Sequence, residues 1–413
     1  MSDTHHALEF DLAIIGAGPV GLALAGWLAA RSATRALRVA LIDARDTTAL
    51  DAHADDPRAI ALSHGSRMLL QPLLDQPVWD ALSAPIRQIQ ISQRGHFGRT
   101  VIDQREHGVP ALGYVVRYSG LVAQLAAAVR RAPPQWLTHT SASVLGQDAS
   151  SVTVRLQHTG SVDSAATLRT RLVVNAEGGL FRSSGKDGDA DPAAAPGFNV
   201  PRNRDYRQTA IVGVVRADAA RPGIAWERFT REGPLALLPL DHAGHEWAMV
   251  WCGRPEAAQA RMTLSDAAFL AALQHAFGSR LGQFTSIHER AAFPLGLNAL
   301  PEPIDQRIAA IGNAAQMLHP VAGQGLNLGL RDAFALADAL GQHGATPEAL
   351  QAFAKRRGAD RRLTIVATDT LARAFTVDLA PLPLLRGVAL SALDWLPPVK
   401  QALARHMMFG QRN

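Results

Sequence analysis

The chain has 413 residues, 47% of them hydrophobic and 19% charged, which is typical of a globular protein with a large core and room for two structural domains. Its formal net charge of +5 comes without a dense basic run carrying interleaved aromatic residues, so we predict no nucleic-acid partner. A single cysteine, Cys252, excludes an intramolecular disulfide and indicates a reducing, cytoplasmic compartment. Neither the cysteine nor the histidine spacing suggests a metal site, and we predict none.

The first predicted strand, Phe10 to Ile15, is followed by a glycine-rich turn and then by a helical segment rich in alanine and leucine, Leu22 to Ala30. This is the strand–turn–helix context in which a G-x-G-x-x-G pattern binds a dinucleotide. The first glycine makes the tight turn, the second admits the pyrophosphate, and the third lets helix and strand pack closely. The cofactor contacts predicted for this turn are Gly16, Gly18, Pro19 and Gly21.

The second predicted strand, Arg38 to Ile42, ends at Asp43, about twenty residues beyond the last glycine of the turn. A carboxylate at this place binds a ribose hydroxyl in dinucleotide-binding folds, and Asp43 is predicted to do the same. Further along the chain, period-two alternation of apolar residues predicts strands in Ile86 to Ser92 and in Ser151 to Leu156.

A second glycine-rich segment lies between Ile311 and Asp332. It is typical of a strand end, a loop that holds Pro320 and two close glycines, Gly323 and Gly325, and the start of a helix. The glycines let main-chain N–H groups approach a flat or anionic ligand, and the helix directs its positive end at that ligand. The first motif alone does not separate FAD from NAD. Because a nicotinamide domain has no need of this late loop, we predict FAD.

Together the two motifs resemble those of the class A FAD-dependent aromatic hydroxylases of the p-hydroxybenzoate hydroxylase type, and within that group the ubiquinone-biosynthesis hydroxylases. The late motif reads G-N-A-A-Q-x-L-H-P-x-A-G-Q-G-x-N-L-G, with Asn313 and Gln316 where related hydroxylases more often carry Asp and His. The resemblance covers nearly the whole chain. It implies an α/β fold in which a Rossmann-like FAD-binding domain carries an inserted antiparallel β-sheet substrate domain and C-terminal helices.

The implied domains are discontinuous along the chain. The FAD-binding domain is expected at 1–75, 105–180 and 290–340, the substrate domain at 76–104 and 181–289, and a C-terminal helical region at 341–413.

The resemblance also implies cofactor contacts outside the first motif. Arg58 would lie by the FAD, the alternative being a surface ion pair with the acidic loop before it. Arg117 is a similar candidate, and Gln124 lies two helical turns beyond it. The late motif adds Gly312, Asn313, Pro320, Gly323, Gln324, Gly325 and Asn327.

One motif departs from the family pattern. Glu177 follows the apolar run Leu172 to Val174, at a place where the family usually carries A-D-G. Its carboxylate still accepts a hydrogen bond, but it reaches one methylene further. This difference bears on how the nicotinamide donor docks.

The chemistry implied by the resemblance is ring hydroxylation. NAD(P)H reduces FAD, and O₂ then supplies, by way of a flavin C4a-hydroperoxide, the hydroxyl group added to a phenol ring. The implied substrate is a polyprenylated phenol, 2-polyprenyl-6-methoxyphenol, in ubiquinone biosynthesis. Pro320 is expected to pack near the isoalloxazine, and Gln324 to present a backbone N–H group to its pyrimidine edge. His319 is either a proton-transfer catalyst or a hydrogen-bonded structural histidine.

Several alternatives remain open at this point. The chain could be a sibling hydroxylase that attacks another ring position or a simpler phenol, a flavin dehydrogenase or oxidase that incorporates no oxygen, or an FAD-bearing scaffold subunit. No apolar run reaches the roughly twenty residues that span a membrane. We expect a cytoplasmic protein. The tail from Phe375 onward is either a C-terminal helix packed on the FAD-binding domain or a surface that meets membrane or other ubiquinone-biosynthesis enzymes, which would make the protein peripheral at the inner membrane face.

Overall fold

The structure is a computed structural model that describes residues 9–46, 56–95, 98–132, 134–159, 165–178, 202–320, 323–374 and 396–410. The strands in chain order are β1 (Phe10–Ile15), β2 (Val39–Ile42), β3 (Ala59–Ser63), β4 (Ser83–Ile86), β5 (Gln88–Gln93), β6 (Arg99–Asp103), β7 (Gly113–Arg117), β8 (Gln135–Leu137), β9 (Thr140–Gln147), β10 (Val152–His158), β11 (Ala165–Asn175), β12 (Arg202–Ala217), β13 (Ile224–Phe229), β14 (Pro234–Pro239), β15 (Glu246–Gly253), β16 (Phe284–Ala299), β17 (Ile304–Asp305), β18 (Ile308–Ala310) and β19 (Gln316–Met317).

The helices are α1 (Pro19–Ala30), α2 (His64–Leu70), α3 (Gln76–Leu82), α4 (Tyr118–Arg130), α5 (Pro255–Met262), α6 (Asp266–Phe277), α7 (Gln324–His343), α8 (Pro347–Ala374) and α9 (Pro397–Phe409). None of these helices is long and apolar enough to cross a membrane.

The first sheet has the order β17-β18-β11-β1-β2-β8, with β10 and then β9 attached to β11. Strand β1 runs parallel to β2 and β11, and β8 and β18 extend the sheet in the same direction. Its strands are apolar on both faces because both faces are covered, as in Leu12 and Ala13, which are fully buried. Helices α1, α4 and α7 pack against one another over this sheet.

The second sheet has the order β19-β16-β12-β15-β14-β13-β5-β6 and is antiparallel except for the pair β13–β5. One of its faces packs against α5 and α6 through Trp247, Trp251, Phe269 and Phe277. The other face carries Ala225 and packs on the three-stranded sheet β3-β7-β4. The second face of this sheet therefore looks toward the cofactor-binding part of the chain.

The predicted fold class is confirmed, since a doubly covered parallel sheet and a separate antiparallel sheet are joined with C-terminal helices. The proposed domain borders remain a prediction. Strand β16 runs past the predicted border at residue 289 to Ala299, so the antiparallel sheet extends further than the alternation suggested. Residues 181–201 of the predicted substrate domain lie outside the described residues.

The last described helix, α9, packs back on the body of the protein. Ala404 and Met408 contact Ile102 and Leu112. The approach is close, because a Cβ added at Gly65 in α2 would lie 2.6 Å from the carbonyl oxygen of Met408. This position brings α9 beside the start of α7.

Candidate active site

The glycine turn after β1 is shaped by two close backbone contacts. Gly16 has a φ of +103°, and a Cβ there would lie 2.9 Å from backbone atoms of Ala176. A Cβ on Gly21 would lie 2.0 Å from the carbonyl oxygen of Gly16. Glycine is therefore required at both positions for α1 to start this close to the ends of β1 and β11.

The space beside Gly18 is open, in contrast to its neighbours. Among the described residues, a Cβ on Gly18 would meet only the hydroxyl of Tyr118, at 3.7 Å. Gly18 is the N-cap of α1, and Pro19 opens the helix, where its missing N–H costs nothing. The free N–H groups and positive end of the helix meet this open space, which fits the pyrophosphate of FAD.

Asp43, predicted to bind a ribose, also holds the turn in place. It is 6% exposed, and its carboxylate accepts the backbone N–H of Ala17 at 2.7 Å. The same carboxylate accepts the backbone N–H of Arg45 at 2.8 Å and its guanidinium at 3.1 Å. The end of β2 is thus tied to the phosphate turn by one side chain.

Two arginines flank this region, and Arg45 was missed by the sequence analysis. Arg58 pairs with Asp56, and its guanidinium carbon lies 4.1 Å from the centre of the Tyr118 ring. The hydrogen bond to Asp43 raises the pKa of Arg45, and Tyr118 contributes to the same shift. Arg45 follows Asp43 with the same Asp-x-Arg spacing that joins Asp56 to Arg58, and this spacing is the signal that could have found it.

The backbone of Arg117 lies close to the backbone of Arg58. Strands β3 and β7 pair so that Ala59 lies opposite Arg117, and the N–H of Tyr118 donates to the carbonyl of Arg58 at 2.9 Å. The Arg117 guanidinium donates to Glu289 on β16 at 2.9 Å, which ties the two parts of the chain together. Gln124 is half-buried on α4.

The late glycine motif forms a 3₁₀ turn at Gly312–Ala314 and then the start of α7. Gly323 is the N-cap of α7, with φ +59°. Gly325 lies in the first helical turn, not in the loop as predicted, and no atom lies within 4 Å of a Cβ added there. Asn313 is exposed. The N-terminal N–H groups of α7 therefore face accessible space, which fits a flavin edge.

Asn327 holds β3 against the first turn of α7. Its amide oxygen accepts the N–H of Ser63 at 2.8 Å, and its amide nitrogen donates to Ala61 at 2.9 Å and Gly323 at 2.7 Å. These bonds use both of its N–H donors. The geometry makes Asn327 a residue that positions the glycine loop, whereas the sequence analysis expected it to contact the cofactor.

His319 is buried, with 1% of its surface exposed. Its Nε2 lies 2.9 Å from Oε1 of Gln208 on β12, and the ring of Tyr206 packs edge-on at 5.2 Å. Burial lowers the pKa of His319 to about 4, so the imidazole is neutral at pH 7. This geometry favours a structural histidine that fixes the half-buried Pro320 beside it.

Because His319 is neutral when folded, it should make stability depend on pH. Lowering its pKa from 6.5 to about 4 is worth about 3 kcal/mol, present above pH 6.5 and lost as pH falls toward 4. We expect wild type to lose this much more stability than His319→Gln between pH 7.5 and 4.5. Urea unfolding at both pH values measures it, and parallel losses in the two proteins would contradict it.

A small cleft of about 70 Å³ opens beside the start of α7. Gln324 and Asn327 lie on one side, and the amide nitrogen of Gln324 is 3.5 Å from the carbonyl oxygen of Met407 on α9. The apolar lining is Ala61, Leu62, Ile86, Ile89, Ile102, Leu112, Ala404, Met407 and Met408. An apolar ligand attached to a ring near the glycine loop could extend into this cleft.

The departure at Glu177 lies in the turn after β11. The side chain is exposed, and its backbone N–H donates to the side chain of Asn175 at 2.9 Å. Within the described ranges no group of three or more metal-ligating side chains lies together.

The chain matches a known family over most of its length. The model of the FAD binding domain family covers residues 9–363. The ubiquinone hydroxylase UbiL of Rhodospirillum rubrum is 32% identical over 408 residues, which cover 96% of this chain and 89% of that protein. The 3-demethoxyubiquinol 3-hydroxylase of Escherichia coli is 28% identical over 410 residues, 96% of this chain and 98% of that one.

Solved structures agree on the fold. The p-nitrophenol 4-monooxygenase PnpA of Pseudomonas putida superposes with a TM-score of 0.74 at 17% identity, over 98% of this chain and 99% of that one. With its family match, its relatives and its two glycine motifs, the chain is an FAD-dependent monooxygenase that belongs to the FAD binding domain family, in the group that contains the ubiquinone hydroxylases.

Proposed function

We propose that the protein hydroxylates the ring of a polyprenylated phenol, 2-polyprenyl-6-methoxyphenol, in ubiquinone biosynthesis, with NAD(P)H as electron donor. The observation that carries this proposal is the apolar cleft beside α7. It adjoins the first turn of α7, where the flavin ring is expected, and its apolar lining suits the first isoprenoid carbons next to the ring. The relatives named for ubiquinone hydroxylation support the same substrate class.

The residues around the cleft have separate roles in binding the cofactor and the substrate. The open turn at Gly18 would hold the pyrophosphate, Asp43 a ribose, and the backbone N–H groups of Gly323, Gln324 and Gly325 the pyrimidine edge of the flavin. Bound FAD supplies the activated oxygen from O₂. The protein orients the phenol and excludes water through its apolar walls.

Met407 and Met408 suit a prenyl-binding wall. Methionine is unbranched and polarizable, so it fills irregular apolar space and adapts to a flexible chain. Both lie on α9, opposite Ile89 and Ile102. We expect the phenol ring at the α7 end of the cleft and the isoprenoid carbons toward α9.

The test is oxygen incorporation into a defined phenol. FAD-loaded protein is given 2-geranyl-6-methoxyphenol, ¹⁸O₂ and either NADH or NADPH. We expect one ¹⁸O atom in the product, placed on the ring by NMR, and a faster rate with one of the two donors. NAD(P)H oxidation without ¹⁸O in any product would favour the dehydrogenase or oxidase alternative. Absence of flavin reduction would favour the scaffold alternative.

We also propose that α9 rests on an anionic lipid surface. Leu396, Val399 and Leu403 are 53%, 52% and 41% exposed at helical spacing. The helix Pro397–Phe409 contains no acidic residue. Lys400 pairs with Glu106, and Arg405 is the exposed basic residue that suits anionic lipid. This surface would place the prenyl cleft, which α9 also lines, near the substrate's membrane.

Changing this surface should release the protein from vesicles. Val399→Asp combined with Leu403→Asp is expected to lower binding to phosphatidylglycerol vesicles roughly tenfold or more, because two charges replace apolar surface. Co-sedimentation measures the bound fraction. Leu145→Asp on β9, which replaces another exposed leucine (45% exposed), is the matched control. Equal vesicle binding by all three proteins would contradict the proposal.

A further inference from the structure

One row of side chains crosses five strands of the antiparallel sheet. In register it contains Ile91 on β5, Glu227 on β13, Ala236 on β14, Val250 on β15 and Val212 on β12. All five are only partly buried, although they lie in the interior of the sheet. The row therefore lines open space, and Glu227 is its only polar member.

This row lies on the face that looks toward the cofactor-binding part. Residues two apart in a strand share a face, so Glu227 shares the face of Ala225. Ala225 packs in one cluster with Ala61 on β3. Ala61 in turn lies 3.4 Å from a Cβ built on Gly323, the N-cap of α7. These contacts place Glu227 across the cleft from the glycine loop.

The other end of the row, at Val212, lies near His319. Val212 lies two residues from Ala210 and four from Gln208, the side chain that binds His319. One end of the row therefore lies near Gly323 and the other end near His319. A ring placed against this row would lie between the sheet and the loop.

Glu227 has no hydrogen-bond or ion-pair partner among the described residues. The side chain is half-buried in the apolar row, and desolvation alone raises the pKa of Glu227 to about 7. A carboxyl group without a partner in an apolar wall is costly for stability, so it is expected to serve a ligand.

We propose that the Glu227 carboxylate binds the phenolic hydroxyl of the substrate and takes its proton, an inference that rests on the phenol substrate of the proposed function. In this step the phenol O–H bond breaks, its electron pair stays on the oxygen, and the proton bonds to a carboxylate oxygen of Glu227. The phenolate then has more electron density at the ring carbons ortho and para to its oxygen. The oxygen atom itself comes from O₂ in the established monooxygenase activity. The proton leaves to solvent when the product departs.

Other titratable groups lie on the elements around Glu227. On the same face of the sheet, His288 lies opposite Val214, and Arg216 pairs with Glu246. Arg117 and Glu289 also pair with each other. Burial raises the pKa of Tyr114 and of Cys252 and lowers that of His319 to about 4. A change in phenol binding near pH 7 therefore reports on Glu227 only if Glu227→Gln abolishes it, and a change that persists in the variant reports on another group, such as His288.

The experiment measures binding without turnover. Calorimetry on FAD-loaded protein, with no NAD(P)H present, compares 2-geranyl-6-methoxyphenol with its O-methyl ether between pH 6 and 8.5. Wild type is expected to bind the phenol more tightly as pH rises through about 7, because the ionised carboxylate accepts the phenolic proton. Glu227→Gln should bind it roughly tenfold or more weakly at pH 8, with a flat pH profile. The ether should bind both proteins alike.

Three controls separate the outcomes. Glu256→Gln, on the exposed side of α5, should behave as wild type. Glu227→Asp should restore the pH-dependent limb at lower affinity, and FAD content reports whether each variant folds. During turnover Glu227→Gln should divert O₂ to H₂O₂.

If Glu227→Gln keeps wild-type phenol affinity, pH profile and coupling, Glu227 has no such role and the proposed function stands. If wild type neither prefers the phenol to its ether nor hydroxylates it, the proposed function fails and the role of Glu227 fails with it.

Discussion

Replacing Gly21 with alanine is expected to leave the protein without FAD. The added methyl carbon would lie 2.0 Å from the carbonyl oxygen of Gly16, and a backbone atom in a tight turn cannot move aside. The cost should exceed the roughly 1–3 kcal/mol of ordinary overpacking, because α1 must shift away from β1. Flavin absorbance of the purified protein measures the loss, and stoichiometric FAD in Gly21→Ala would contradict the packing described.

A matched variant three residues earlier separates folding from binding. Among the described residues, the methyl group of Gly18→Ala meets only the Tyr118 hydroxyl, at 3.7 Å. The FAD-free protein therefore accommodates this substitution without strain. The methyl group would occupy the space assigned to the pyrophosphate, so FAD affinity should fall roughly tenfold or more while the melting temperature of the apoprotein stays unchanged. Gly358→Ala on α8, which meets nothing within 4 Å, controls for glycine removal. Wild-type FAD affinity in Gly18→Ala would move the pyrophosphate elsewhere.

Features held by neighbouring residues could be predicted from the sequence. The apolar run Phe10–Ile15 is β1 with the same bounds, because a strand covered on both faces is apolar throughout. The second strand and the glycine turn followed in the same way. The confirmed family resemblance rested on the two glycine motifs, whose spacing is a local property.

Contacts across long sequence distances could not be read from periodicity. Gln208 and His319 are 111 residues apart, and Ser63 and Asn327 are 264 apart. Each pair depends on which strands and helices become neighbours. The hydrogen bonds of Asn327 to Ser63 and Ala61 on β3 could not be predicted for this reason, because nothing in the late motif indicates that β3 is its neighbour.

Glu227 was missed for a different reason. It lies in β13 among alternating residues, where one polar side chain looks like the exposed side of an ordinary strand. The sheet order shows that Trp226 on one side of β13 packs against α6, while Ala225 and Glu227 lie on the side that looks toward the three-stranded sheet. A carboxyl group without a partner is unusual on such an inner face, and only the sheet topology shows that Glu227 lies there.

A buried charge network lies behind the late glycine motif, and removing one of its charges is expected to cause a large loss of stability. Asp332 on α7 is 2% exposed, and it accepts the amide of Gln316 at 2.7 Å and the guanidinium of Arg357 at 2.8 Å. Arg361 donates to Gln316 at 2.6 Å and to the carbonyl of Leu300, also at 2.6 Å. The network therefore joins α7 and α8 to the segment that carries Gly312 and Asn313.

Asp332→Asn keeps the shape of the side chain and removes its charge. Arg357 keeps its ion pair with Asp360 at 2.6 Å, but the buried cluster loses one of its two carboxylates. The expected cost is therefore about 3 kcal/mol of unfolding free energy, the lower end of the range for a broken buried pair. FAD affinity should fall as well, since the segment behind Gly312 loosens. Urea unfolding of the FAD-free and FAD-loaded proteins measures both effects.

The matched control is the same substitution on the same helix. Asp338 also pairs with two arginines, Arg31 at 2.6 Å and Arg356 at 2.8 Å, but its side chain is 24% exposed. Solvent screens such pairs, so Asp338→Asn should cost less than about 1 kcal/mol. A much larger loss of unfolding free energy in Asp332→Asn than in Asp338→Asn would show that burial of the ion pairs is the cause. Equal losses would mean that the number of ion pairs, and not their burial, holds α7 and α8 against the flavin segment.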